Sequence, residues 1–139
     1  MGPNIFIKKI VFDTNTAKIR ITSKPQGTTR RVAYVSGYGK ISSEGGFAND
    51  LQAAAVTEVL HEDCNYYNGG QITERLICFG DYEKYACKGN FGGLLVDKNR
   101  NEQLGVASWA YSCADTRYPI VYTNIDYFNC WITSRSGRH

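Results

Sequence analysis

Along the chain, short runs in which apolar and polar residues alternate are separated by clusters of Gly, Asn and Ser. Alternation with β-branched content marks half-buried strands, and turn clusters at these intervals suit an all-β barrel or sandwich. Ile5 to Ile10 is the first such run, and Ile19 to Thr22 reads as a shorter one. "RVAYVSGYG" (Arg31 to Gly39) runs as a strand into a glycine turn. Downstream, "RLICFG", "GGLLVD", "LGVASWAY" and "IVYTNI" repeat the pattern, each bounded by turn residues. "LQAAAVTEVL" (Leu51 to Leu60) is ambiguous by pattern, and its alanines suit a helix. His61 to Asn68 reads as a helical turn beginning near Glu62. In "IDYFNCWITS", Ile125, Phe128, Trp131 and Ile132 share one face at helical spacing, which predicts a closing amphipathic helix.

Length and charge narrow the function classes. A chain of 139 residues is long enough for one real core and too short for two ordinary ones. Its 42% hydrophobic and 21% charged residues are globular, and no apolar run is long enough to span a membrane. The net charge of +3 is mild. Basic residues are scattered apart from Arg30 with Arg31 and the tail from Arg135 to His139, without the clustered stripe and interleaved aromatics of a nucleic-acid binder. Neither a nucleic acid nor a membrane is therefore expected as a partner.

The start, "MGPNIFIKKI", places two lysines inside its apolar stretch and does not read as a signal peptide. Five cysteines, at 64, 78, 87, 113 and 130, contain no C-x-x-C and are spaced like bridges of an oxidising compartment. Either the start of the reading frame is missing or the thiols are free in a cytosolic protein. The first is the expectation, and it makes the protein extracellular. His61 and His139 are the two histidines, and His61 reads as a surface residue with no role. A zinc site from His61, Cys64, Cys78 and Cys87 lacks close ligand pairs, so no metal and no cofactor is expected.

The segments "VSGYG", Cys64 to "ITERLIC", "CKGNFGGLLV", "LGVASWAYSCA" and "PIVYTNIDYFNCWI" occur in that order between about Asn4 and Ile132. Together they resemble the signposts of the second half of a trypsin/chymotrypsin-like serine protease. The resemblance implies an antiparallel six-stranded Greek-key barrel with a C-terminal helix, the second barrel of that fold. It divides the chain into residues 1–26, the end of a first barrel and a crossover, residues 27–134, the second barrel with its helix, and a polar tail at 135–139.

The chemistry of that family needs a nucleophile, a base, a group orienting the base and oxyanion donors. By resemblance the nucleophilic serine falls on Phe91, the acid before it on Asn90, and the buried acid that orients the imidazole on Asn4. The imidazole itself belongs to the first barrel. The pocket floor falls on Tyr85, and two glycines that keep the pocket walls open fall on Ala110 and Ile120. These replacements would fill the slot a substrate side chain needs. Gly89, Gly92 and Gly93 keep the loop, and Ser108 and Trp109 keep the strand beside which a peptide lies in active relatives. Trp109 reads equally well as a residue packed on the barrel. Cys64 with Cys78 and Cys87 with Cys113 match two bridges of the family. Cys130 is left as a buried thiol, a bridge to a missing segment or an intermolecular pair, and the buried thiol is the expectation.

These readings predict an inactive, secreted homologue that acts as a protein-binding or decoy module. A serine endopeptidase and a gene fragment without a role are the alternatives. A looser likeness to the inactivated protease paralogues of parasitic mites implies a host defence protein or a protease substrate as partner. Self-association is expected as well, because a lone second barrel would expose an apolar face and unpaired strand edges.

Overall fold

The computed structural model describes residues 14, 18–22, 30–37, 52–80, 93–111 and 118–136. Their elements in chain order are β1 (Arg20–Ile21), β2 (Val32–Gly37), β3 (Gln52–Val59), α1 (His61–Tyr67), β4 (Leu76–Gly80), β5 (Leu94–Asp97), β6 (Glu102–Trp109), β7 (Ile120–Asn124) and α2 (Ile125–Ser136). Six strands close on themselves in the order β6, β5, β2, β3, β4, β7, with β7 returning to β6. Every pairing in this ring is antiparallel. The chain crosses over between β4 and β5 so that β5 lies beside β2, which is Greek-key connectivity. The barrel and closing helix expected from the sequence are thus present.

Alternation builds the core. In β2, Ala33 and Val35 are buried while Tyr34 and Ser36 face out, and in β5 Leu95 is buried beside exposed Leu94. Phe79 and Tyr122 meet edge to face inside, with ring centroids 6.1 Å apart. The alanine run forms a strand. Val56 and Glu58 point inward and Thr57 outward, and β2 and β4 pair with its two sides. At Gly105 β6 lies tight against β7, and a Cβ would sit 3.0 Å from the Thr123 carbonyl and from the Tyr122 Cβ.

A second buried cluster, Cys64, Ile72, Cys78 and Val121, lies under α1. The Cys64–Cys78 disulfide ties α1 to β4, as the resemblance implied. Closing a loop of 14 residues this way contributes about 3 kcal/mol by the chain-entropy estimate.

The short β1 pairs in parallel with the start of β6, Arg20 opposite Glu102, over residues that β7 does not reach. The Thr22 amide donates to the Gln103 carbonyl at 3.0 Å. From α2, the Asn129 amide donates to the Thr22 carbonyl at 2.8 Å. Asn124, just before the helix, caps its start: its Oδ1 accepts the Asp126 N–H at 3.2 Å. Two expectations for this helix are corrected. Cys130 is free but exposed, not buried. Trp131 is 60% exposed, not on the packed face. Its ring lies against the Arg135 guanidinium, 5.5 Å from the centroid, while Asn129 occupies the docking side.

Candidate functional site

β5 begins, β6 ends, β7 begins and β4 ends at the same end of the barrel, because β5 and β7 both run antiparallel to β6, and β4 antiparallel to β7. This brings together Gly93, Ser108, Trp109, Ala110 and Ile120. The Gly93 carbonyl accepts the Ala107 N–H at 3.0 Å, which sets Gly93, just before β5, against β6. Just beyond, the register of β6 against β7 shifts between Ala107 and Trp109, leaving Ser108 as the extra, exposed residue of a bulge. Trp109 is half-buried against the cluster around the Cys64–Cys78 bridge. It is a packed residue as well as part of the strand edge.

Ile120 is 9% exposed and belongs to the barrel core, and Ala110 packs against the same cluster. Beside them Gly80 approaches Pro119 closely, so that a Cβ would sit 3.4 Å from two Pro119 atoms. Tyr111 and Tyr118 stack with centroids 4.5 Å apart, Tyr111 largely exposed. Asn4, Tyr85, Cys87, Gly89, Asn90, Phe91, Gly92 and Cys113 lie outside the described residues.

His61 does not join this end. It opens α1, with Nε2 3.1 Å from the Thr73 carbonyl. Cys64 and Cys78, two of the four ligands weighed for zinc, are bonded to each other. Among the described residues no cluster of three or more His, Cys, Asp or Glu could hold a metal, and no helix is long and apolar enough to cross a membrane.

One polar constellation escaped the sequence reading. On β3, Glu58 is 1% exposed, and its carboxylate accepts from Arg31 Nε at 2.8 Å, Arg31 Nη2 at 2.9 Å and the Arg31 backbone N–H at 3.1 Å. The guanidinium lies over the Phe79 ring, 5.9 Å from its centroid. Burial works to lower the Arg31 pKa, but the hydrogen bonds and charge of Glu58, with the charges of Asp97 and Asp126, hold it above its ordinary value. The available signal was phase: Glu58 is two residues from Val56 and so faces inward with it.

A model of the Trypsin family matches residues 7–132. The chain belongs to the trypsin family. It is 34% identical to Trypsin-1 of Salmo salar over 133 residues, covering 94% of this chain and 50% of that protein. It is 30% identical to Transmembrane protease serine 11G of Rattus norvegicus over 139 residues, covering 92% of this chain and 33% of that protein. Among solved structures, neuropsin, a serine protease expressed in the limbic system of mouse brain, superposes with a TM-score of 0.79 at 26% identity, covering 88% of this chain and 55% of its own. The chain spans about half the length of the trypsins it matches.

Proposed function

We propose that this trypsin-family chain is catalytically silent and works outside the cell as a protein-binding or decoy module. The observation that carries this reading is Phe91, which stands in the run "CKGNFGG" where the family resemblance places the nucleophile. A benzyl side chain offers no atom to acylate. Asn90 and Asn4, at the two acid positions, support the same reading, since neither amide supplies a carboxylate charge. Ile120 supports it from the pocket, because a buried sec-butyl group occupies space a substrate side chain would need. The partner is another protein, a host defence protein or a protease substrate, engaged through the retained frame of the substrate edge. The Cys64–Cys78 bridge supports an oxidising compartment. The test is a serine-directed fluorophosphonate together with peptide and ester substrates. No label and no turnover are expected, and a stoichiometric label on any residue from Cys87 to Val96 overturns the proposal.

A further inference from the structure

Asn68 closes α1 and is followed by Gly69, the one Asn-Gly step in the sequence. Glycine has no Cβ to shield its own amide nitrogen or to restrict its backbone, so an Asn-Gly step is the one most open to attack of that nitrogen on the asparagine Cγ. In the folded chain the attack is blocked. Asn68 is buried, and its Nδ2 donates to the Cys64 carbonyl at 2.9 Å and lies 3.4 Å from the Cys64 Sγ. Its ψ of 22° turns the Gly69 nitrogen away from the side chain, whereas ring closure needs the two on the same side. Gly69 and Gly70 both hold positive φ, and the Gly70 N–H donates to the Asn65 carbonyl at 2.8 Å, which fixes the turn.

The block is only as firm as the seating of α1. Cys64 is the one buried residue of that helix, so its bridge to Cys78 is the anchor. Polar ties add to it: His61 Nε2 lies 3.1 Å from the Thr73 carbonyl, and Asn65 Oδ1 accepts the Ile72 N–H at 2.9 Å. Among the described residues the buried Asn68 Oδ1 has no hydrogen-bond partner, which lowers the cost of lifting this side chain into water. A short helix held this lightly opens locally while the barrel beneath it stays closed.

We propose that Asn68 is a deamidation site gated by α1, and that the product holds α1 open. When the helix lifts, the Gly69 nitrogen bonds to Asn68 Cγ and gives up its proton, the Cγ–Nδ2 bond breaks, and ammonia leaves a cyclic imide. Water then opens the ring at Cγ to give aspartate, or at the main-chain carbonyl to give isoaspartate. When α1 settles back, a carboxylate oxygen stands where Nδ2 donated and faces the Cys64 carbonyl, acceptor against acceptor, in a buried place. Isoaspartate adds a methylene to the main chain and breaks the same cap. The step runs one way, so the Cys64–Cys78 bridge sets the rate of an irreversible loosening.

The full chain is incubated at pH 8 oxidised, in urea, and as the Cys64→Ala, Cys78→Ala double variant. Mass spectrometry follows amide-to-acid conversion on the peptide holding Asn68, and amide exchange follows Leu104 in the barrel core. Conversion should be slower in the oxidised chain than in urea by about tenfold or more, and the double variant should approach the urea rate with Leu104 still protected. Asn68→Asp should expose the α1 amides to exchange, and Asn68→Ala, which loses the same donor without adding charge, should do so less. Equal rates in the oxidised and urea-unfolded chains overturn the proposal. So does a double variant that converts no faster than the parent, or faster only where Leu104 has lost protection too. An Asn68→Asp chain whose α1 amides stay as protected as the parent's overturns it as well. None of these outcomes depends on the fluorophosphonate result.

Discussion

Arg31 grips Glu58 with two nitrogens, 2.8 and 2.9 Å from the two carboxylate oxygens, and no appreciable part of that carboxylate touches water. Its Nη2 and Nε satisfy both acceptors at once, while β2 and β3 are paired through the same two residues, the Glu58 N–H donating to the Arg31 carbonyl at 2.8 Å. Arg31→Ala strands a buried charge and should cost about 3–5 kcal/mol in urea unfolding. Arg31→Met with Glu58→Leu should recover most of that loss, short of the Arg31 N–H left without its carboxylate acceptor. A single mutant no less stable than the parent would show that the pair is solvated. The cationic arm gives no acid or neutral pH dependence, because a raised arginine pKa contributes stability everywhere below the ordinary arginine range.

Tyr122 supplies an alkaline limit instead. Burial pushes its phenol well above the ordinary value of 10. Above pH 10 the unfolded chain releases this proton and the folded chain keeps it, so stability falls as pH rises, by up to about 1.4 kcal/mol per unit. Urea midpoints at pH 9 and pH 11 should show the drop in the parent and a smaller one in Tyr122→Phe, which keeps the ring against Phe79. Equal drops in both would assign the effect to other groups.

Thiol mapping separates the bridges. Native alkylation should modify Cys130 rapidly, because that thiol is exposed on α2. Cys87 and Cys113 should stay protected if they pair as the family resemblance implies, and alkylation of either without reductant would refute that pairing. Replacing Cys64 and Cys78 by alanine should lower stability by about 3 kcal/mol.

Restoring the serine should not restore the enzyme. Phe91→Ser is expected to stay inert toward fluorophosphonates, since His61, the histidine among the described residues, is held at the Thr73 carbonyl and Ile120 keeps its place in the core. Adding Ile120→Gly should cost at least the 2–5 kcal/mol typical of Ile→Ala in a core, with glycine's backbone freedom added, rather than open a usable pocket. Turnover by either variant would relocate the site.

The barrel was legible because its strands alternate cleanly and five family-like segments keep their order. The alanine run was not: Ala53 and Ala55 carry too little hydrophobic contrast to reveal a period of two, and the inward Glu58 reads as polar until Arg31 is placed beside it from 27 residues away. On α2 the helical period was right but the docking face was misassigned. A hydrogen bond from Asn129 to Thr22, 107 residues distant, fixes the rotation of the helix, and periodicity carries no information about such a partner. At the barrel end where β6 stops and β7 starts, the resemblance singled out Ile120 and Ala110, whereas the Ser108 bulge is a property of strand register.

The strand that closes the ring is made after the other five. β7 joins β4 to β6, and the Asn129 contact that clamps the end of β1 comes later still. During synthesis the earlier strands leave the ribosome without their final neighbour, so cooperative closure waits for residues beyond Asn124, and non-local strand pairing of this kind is intrinsically slow. A nascent chain stalled before β7 should remain protease-sensitive along its whole emerged length, and adding the α2 residues should protect it as far back as Arg20.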